Sequence, residues 1–91
     1  MRAFSINYDL KVPGRDYSRL YDEIKRSSKW WHYLDSTWIV ITNESAQQIW
    51  NRLAKHIDKN DYILIVEILD NVQGWLPKDA WKWIRANVPG R

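Results

Sequence analysis

Hydrophobic positions recur along the chain with two periods, and the switches between them mark out its elements. Phe4, Ile6 and Tyr8 alternate with Ala3, Ser5 and Asn7, which predicts a strand from Arg2 to Tyr8 with one greasy face. Pro13-Gly14 is a turn signal, and Asp16 suits the N-cap of a helix reading Tyr17 to Lys25. In it Tyr17, Leu20, Tyr21 and Ile24 recur at i, i+3, i+4 and i+7, the stripe of a helix lying on a sheet, while Asp22, Glu23, Lys25 and Arg26 face water. Ser27-Ser28-Lys29 ends it. A second strand, Trp30 to Leu34, meets Asp35-Ser36 and a third strand, Thr37 to Thr42, as a hairpin or a bulged extended segment. Trp38-Ile39-Val40-Ile41 is apolar without alternation, as in a strand covered on both faces, one of them expected to meet another subunit.

Ser45 and Gln48 have the spacing of a capping box opening a second helix that runs to about Ile57. Ile49, Trp50, Leu53 and Ile57 form its buried stripe, with Gln47, Asn51, Arg52 and Lys55 outside it. After the polar turn Asp58-Lys59-Asn60-Asp61, Tyr62 to Leu69 is the most hydrophobic run and reads as a central or fully covered strand. Asp70 to Gly74 breaks the pattern, and a last helix begins near Pro77, with Trp81, Ile84 and Val88 on its apolar side. Residues 1–91 thus form a single domain in which 75–88 is a C-terminal helical extension. The order predicts an α+β, ferredoxin-like βαββαβ fold: a four-stranded antiparallel sheet with two helices on one face, plus the C-terminal helix. That topology hosts many unrelated activities and licenses none by itself.

Composition narrows the field. A chain of 91 residues has room for one two-layer core, and a large catalytic cleft would need two chains to build it. Cysteine is absent, which excludes disulfides and thiolate chemistry and fits a cytoplasmic protein. No signal-peptide pattern and no membrane-length apolar run is present, so no membrane partner is expected. The net charge of +3 and a pI near 9.3 permit anionic partners but fall short of a polybasic tail. Seven tryptophans stand beside one phenylalanine, more than one small core should need. They read as core or homodimer-interface residues, and any indole left exposed is a candidate stacking contact for nucleic acid.

Asp9 is the acid of most chemical interest. It falls on the small, polar face where the first strand runs out, a position that can hold a metal or a proton, or bond the following turn. Lys11, Arg15 and Arg19, with Lys25, Arg26 and Lys29, cluster on the first helix and its flanks, either as phosphate contacts beside Asp9 or as a solvated face. His32 and His56 lie on different elements without metal-ligand spacing and read as structural or exposed. Ser5 and Ser36 have no base beside them to make a nucleophile. Asp58 and Asp61 read as acids bonding a local turn. With no glycine-rich phosphate loop, no organic cofactor is expected.

The strand ending Asn7-Tyr8-Asp9-Leu10, the central Ser36-Thr37-Trp38, and Ile57-Asp58 with Asp61 before the fourth strand together resemble the Cas-two family of CRISPR adaptation proteins. More closely, the chain is similar to the small SinR-like proteins related to the VapD ribonucleases. The resemblance covers roughly positions 1 to 69. It implies a homodimer of ferredoxin-like domains, CRISPR- or defence-associated, in which Asp9 of each subunit approaches the other across the two-fold axis. It also implies metal-dependent RNA or DNA cleavage in some members and a nucleic-acid scaffold in others. Two such carboxylates can share Mg²⁺ or Mn²⁺ and activate water against a phosphodiester. The chain departs from the family in having only Arg15 and Arg19 after the acid and a larger aromatic, Trp38, in the third strand. A lone acid per chain with no paired base is thin equipment for a nuclease, which favours a non-catalytic nucleic-acid-binding dimer.

Overall fold

β1 (Arg2–Asp9) is the centre from which the sheet is built, because its alternating side chains serve two cores at once. The computed structural model describes residues 1–90. After β1 come α1 (Ser18–Lys25), β2 (Lys29–Leu34), β3 (Thr37–Thr42), α2 (Ala46–Leu53), a 3-10 turn (Ala54–His56), β4 (Tyr62–Ile68) and α3 (Lys78–Asn87). The strands form one antiparallel sheet in the order β2-β3-β1-β4. Phe4 and Ile6 of β1, with Trp38 and Val40 of β3, face Leu20 and Ile24 of α1 and Ile49 and Leu53 of α2. On the opposite face Ala3, Ile39 and Ile41 join Trp31 under Ala80, Ile84 and Val88 of α3. The Trp31 indole donates to the Ala80 carbonyl at 3.2 Å, so its polar edge is satisfied inside the core.

Local chemistry explains the boundaries. The capping box forms: Gln48 N–H donates to Ser45 Oγ at 3.1 Å, and Ser45 N–H donates to Gln48 Oε1 at 2.8 Å. Asp16 accepts from Ser18 N–H at 2.9 Å, but Tyr17 occupies the cap position, one residue later than expected. Tyr17 is drawn into the core, and regular helix starts after it. The β2–β3 hairpin is bulged, its register shifting between Trp31 and Leu34.

Four expectations are corrected. Both faces of β3 are covered by helices of its own chain, so no face of it is left for another subunit. β4 is neither central nor fully covered: it is an edge strand whose Ile63 and Ile65 pack on the α1–α2 core while Tyr62, Leu64 and Val66 point to the open face. Arg52, read as facing water, is built into the structure, its guanidinium held by Glu44 at 3.0 Å and Ser27 Oγ at 2.7 Å and donating to the Glu23 carbonyl. It staples α2 to the end of α1. Trp75 falls before the last helix and is fully exposed, whereas Trp81 and Trp83 pack against the second core.

Candidate functional site

The end of β1 brings two acids of opposite character into one corner of the sheet. Asp9 pairs in register with Tyr62 of β4, and its side chain is 64% exposed. Lys11, two residues on, reaches back so that Nζ lies 2.9 Å from Asp9 Oδ2. The hydrogen bond and charge of that carboxylate hold the Lys11 ammonium above its usual pKa. Among the described residues, Lys11 is the group that binds Asp9, and the other open oxygen faces solvent.

Asp61 is the opposite case, with only 7% of its surface accessible. Its carboxylate accepts from Lys11 N–H at 2.7 Å, Asp58 N–H at 2.8 Å and the Tyr17 hydroxyl at 2.8 and 2.9 Å. Burial alone would push the carboxyl up, but these donors and the nearby Arg15 charge outweigh it and hold the group below its ordinary value. The same pairing, with burial as the larger cause, raises the Tyr17 phenol. Asp58 accepts from Asn60 N–H at 2.9 Å and meets Arg15 at 3.5 Å. Both acids bond turn amides, as expected for this helix-to-strand connection. The role of Tyr17 was not foreseen, since it lies 44 positions from Asp61 with no spacing to link them.

The candidate cations are divided. Lys11 closes on Asp9, and Arg15 closes on Asp58 while lying over the Tyr17 ring, its guanidinium carbon 5.3 Å from the ring centre. Arg19 is exposed on the outer side of α1 and makes no ion pair among the described residues. Asp9 and Lys11 therefore meet directly, Arg15 sits over the Asp61 side of the corner, and Arg19 stands apart from both.

An aromatic cluster occupies the neighbouring part of the sheet, centred on the buried Trp38. His32 and Tyr21 stack on it with ring centres 3.7 and 6.0 Å away, and Trp30 lies tilted against it at 5.4 Å. The Trp38 indole donates to the Tyr8 hydroxyl at 3.0 Å, and that hydroxyl donates to the Asp35 carbonyl at 3.1 Å. Burial pushes the Tyr8 phenol up to about 12, against the smaller downward pull of the Trp38 N–H, so it stays protonated at neutral pH and serves as no base. Trp30 remains 42% exposed with the Lys25 ammonium 5.2 Å from its ring centre, a cation–π pair at the rim of the cluster. Sequence patterning flagged exposed indoles as a class; which of the seven would be exposed depended on how the helices pack on the two faces of the sheet.

Chemically, the corner can present one carboxylate per chain to a cation or a proton. Among the described residues no group of three His, Asp or Glu side chains is gathered to hold a metal. No helix among them is long and apolar enough to cross a membrane. Comparison with known proteins adds no relative: no family model, no curated protein and no solved structure matches the chain.

Proposed function

We propose that this chain is a ferredoxin-like, Cas-two-like domain that works as a homodimeric nucleic-acid-binding scaffold. The element order, with two helices on one face of an antiparallel β2-β3-β1-β4 sheet, supports the fold assignment. The observation that carries the binding reading is the half-exposed Trp30 under the Lys25 ammonium. A π-face beside a cation is what an unpaired base and its phosphate require, and Lys25 makes no ion pair among the described residues. Lys11 and Arg15 extend the cationic rim but are each already closed on an acid, so they contribute less.

Fluorescence anisotropy with labelled single-stranded RNA and DNA tests this reading. Binding should weaken as salt rises, and Trp30→Ala together with Lys25→Ala should weaken it by about tenfold, of the order expected for one stacking contact and one phosphate contact. Unchanged affinity in that double variant would contradict the assignment of the surface.

The second reading, a Mg²⁺- or Mn²⁺-dependent endonuclease or endoribonuclease, draws support from the exposed Asp9 carboxylate at a strand end, held by the exposed Lys11 ammonium. In it Asp9 is a metal ligand and needs a second Asp9 from another copy, because among the described residues no group of three His, Asp or Glu side chains is gathered at this corner. Metal-dependent cutting that disappears in Asp9→Asn would favour it.

A further inference from the structure

We propose that the ligand of the Trp30 surface is an extended, unpaired step of single-stranded RNA or DNA, one base lying on Trp30 and the next on His32. This rests on the nucleic-acid reading of that surface and names its substrate. Trp30 pairs in register with Val40 of β3, and the next position on the same face of β2 is His32. Both rings lie against the buried Trp38, which places them on the side of the sheet that carries α1. β2 is the outermost strand on its side, so no further strand of the chain lies beyond the two rings.

His32 is the prepared half of this platform. One face of its ring rests on Trp38, with 3.7 Å between centres and 15° between planes. Its Nε2 lies 3.2 Å from the Asp35 carbonyl oxygen, which can only accept, so Nε2 carries the hydrogen and donates it there. The stack and the hydrogen bond hold the ring in one orientation, yet the residue is exposed, and the accessible π-face is the one turned away from Trp38. A ring already ordered loses little further freedom when a base covers it. Trp30 is the other half: it is tilted by 55° against Trp38 and remains 42% exposed. The Lys25 ammonium, 5.2 Å from its ring centre and in no ion pair among the described residues, is placed to hold the phosphate of a base stacked there.

The spacing selects an unpaired strand. Positions two apart on a β-strand stand about 7 Å from one another, whereas successive bases of a stacked helix rise by about 3.4 Å. The two rings also make such different angles with Trp38 that they cannot be parallel to each other. Bases seated on both must be drawn apart and splayed. A single strand permits this, and a duplex, whose base faces are stacked inside it, does not. Stacking reads no base edge, so the platform is expected to tolerate many sequences.

The test is fluorescence anisotropy with labelled single-stranded RNA and DNA oligonucleotides and with the same sequences annealed into blunt duplexes. The proteins are wild type, Trp30→Ala, His32→Thr and His32→Phe. Threonine suits a strand and still covers part of Trp38 but offers no π-face, and circular dichroism and Tm check that each variant keeps the fold. Wild type should bind single strands at least about tenfold more tightly than duplexes, and Trp30→Ala and His32→Thr should each weaken single-strand binding at least about fivefold. His32→Phe, which restores a π-face, should recover the loss seen in His32→Thr. Binding that weakens in Trp30→Ala but is unchanged in His32→Thr would overturn the two-base platform and leave the Trp30 surface standing. Duplexes bound as tightly as single strands would likewise overturn this inference alone. No binding of either form by the wild type would overturn both the inference and the proposed function beneath it.

Discussion

Asp9 and Asp61 flank the same strand pairing, Asp9 opposite Tyr62 and Asp61 just before it, yet one is free and the other is committed. Asp61 is enclosed by two backbone amides and a phenol drawn from the β1–α1 loop and its own turn, and its charge organises the junction of the β1–α1 loop with the α2–β4 turn. Asp9 projects from the polar face into solvent and, among the described residues, meets the exposed Lys11 ammonium. An acid that the fold needs is walled in by donors, and an acid available to an external cation is not. Acidity at a strand end therefore says little about function until its donors are counted.

The largest expected effect comes from removing the committed acid. Asp61→Ala leaves the Lys11 and Asp58 amides and the Tyr17 hydroxyl without their acceptor in a buried site, and should cost about 3 kcal/mol of stability in urea unfolding. A loss under about 1 kcal/mol would mean that water replaces the carboxylate freely.

Next is the response to acid. The folded-state value of Asp61 lies below its unfolded one, so its contribution is fully present above about pH 4 and is lost as pH falls through the folded value. Unfolding midpoints followed from neutral pH downward should therefore drop more steeply below about pH 4 in the wild type than in Asp61→Asn. Parallel profiles would remove Asp61 from the acid transition.

Tyr17→Phe keeps the ring in the core and deletes only the hydroxyl donor, so a loss of about 1 kcal/mol is expected. Smallest of all is Asp9→Asn: its partner Lys11 is exposed, and the stability change should fall within about 0.5 kcal/mol. A large loss at Asp9 would erase the contrast between the two acids.

Much of the fold was legible because its signals are local. Alternation in β1, the stripe of α1 and the Ser45–Gln48 box each depend on neighbours within a few residues, and the structure bears them out. β4 was misplaced because an unbroken apolar run looks the same whether a strand is covered on both faces or presents one of them at an edge. Arg52 was missed for a related reason: helical spacing puts it outside the apolar stripe, while the carbonyl and hydroxyl that receive it belong to the end of α1. At the candidate site, position alone left Asp9 open between holding a metal or a proton and bonding the following turn. The donors that distinguish it from Asp61 come from distant segments, and only the folded chain brings them together.

The most direct test of the scaffold account is to incubate labelled single- and double-stranded RNA and DNA with Mg²⁺, Mn²⁺ or EDTA, using wild type and Asp9→Asn from identical purifications, and to measure binding and cleavage on the same samples. The account predicts equal binding by both proteins and no cleavage that depends on Asp9. Metal-dependent cutting by the wild type that is lost in Asp9→Asn would contradict it and make Asp9 the centre of a nuclease.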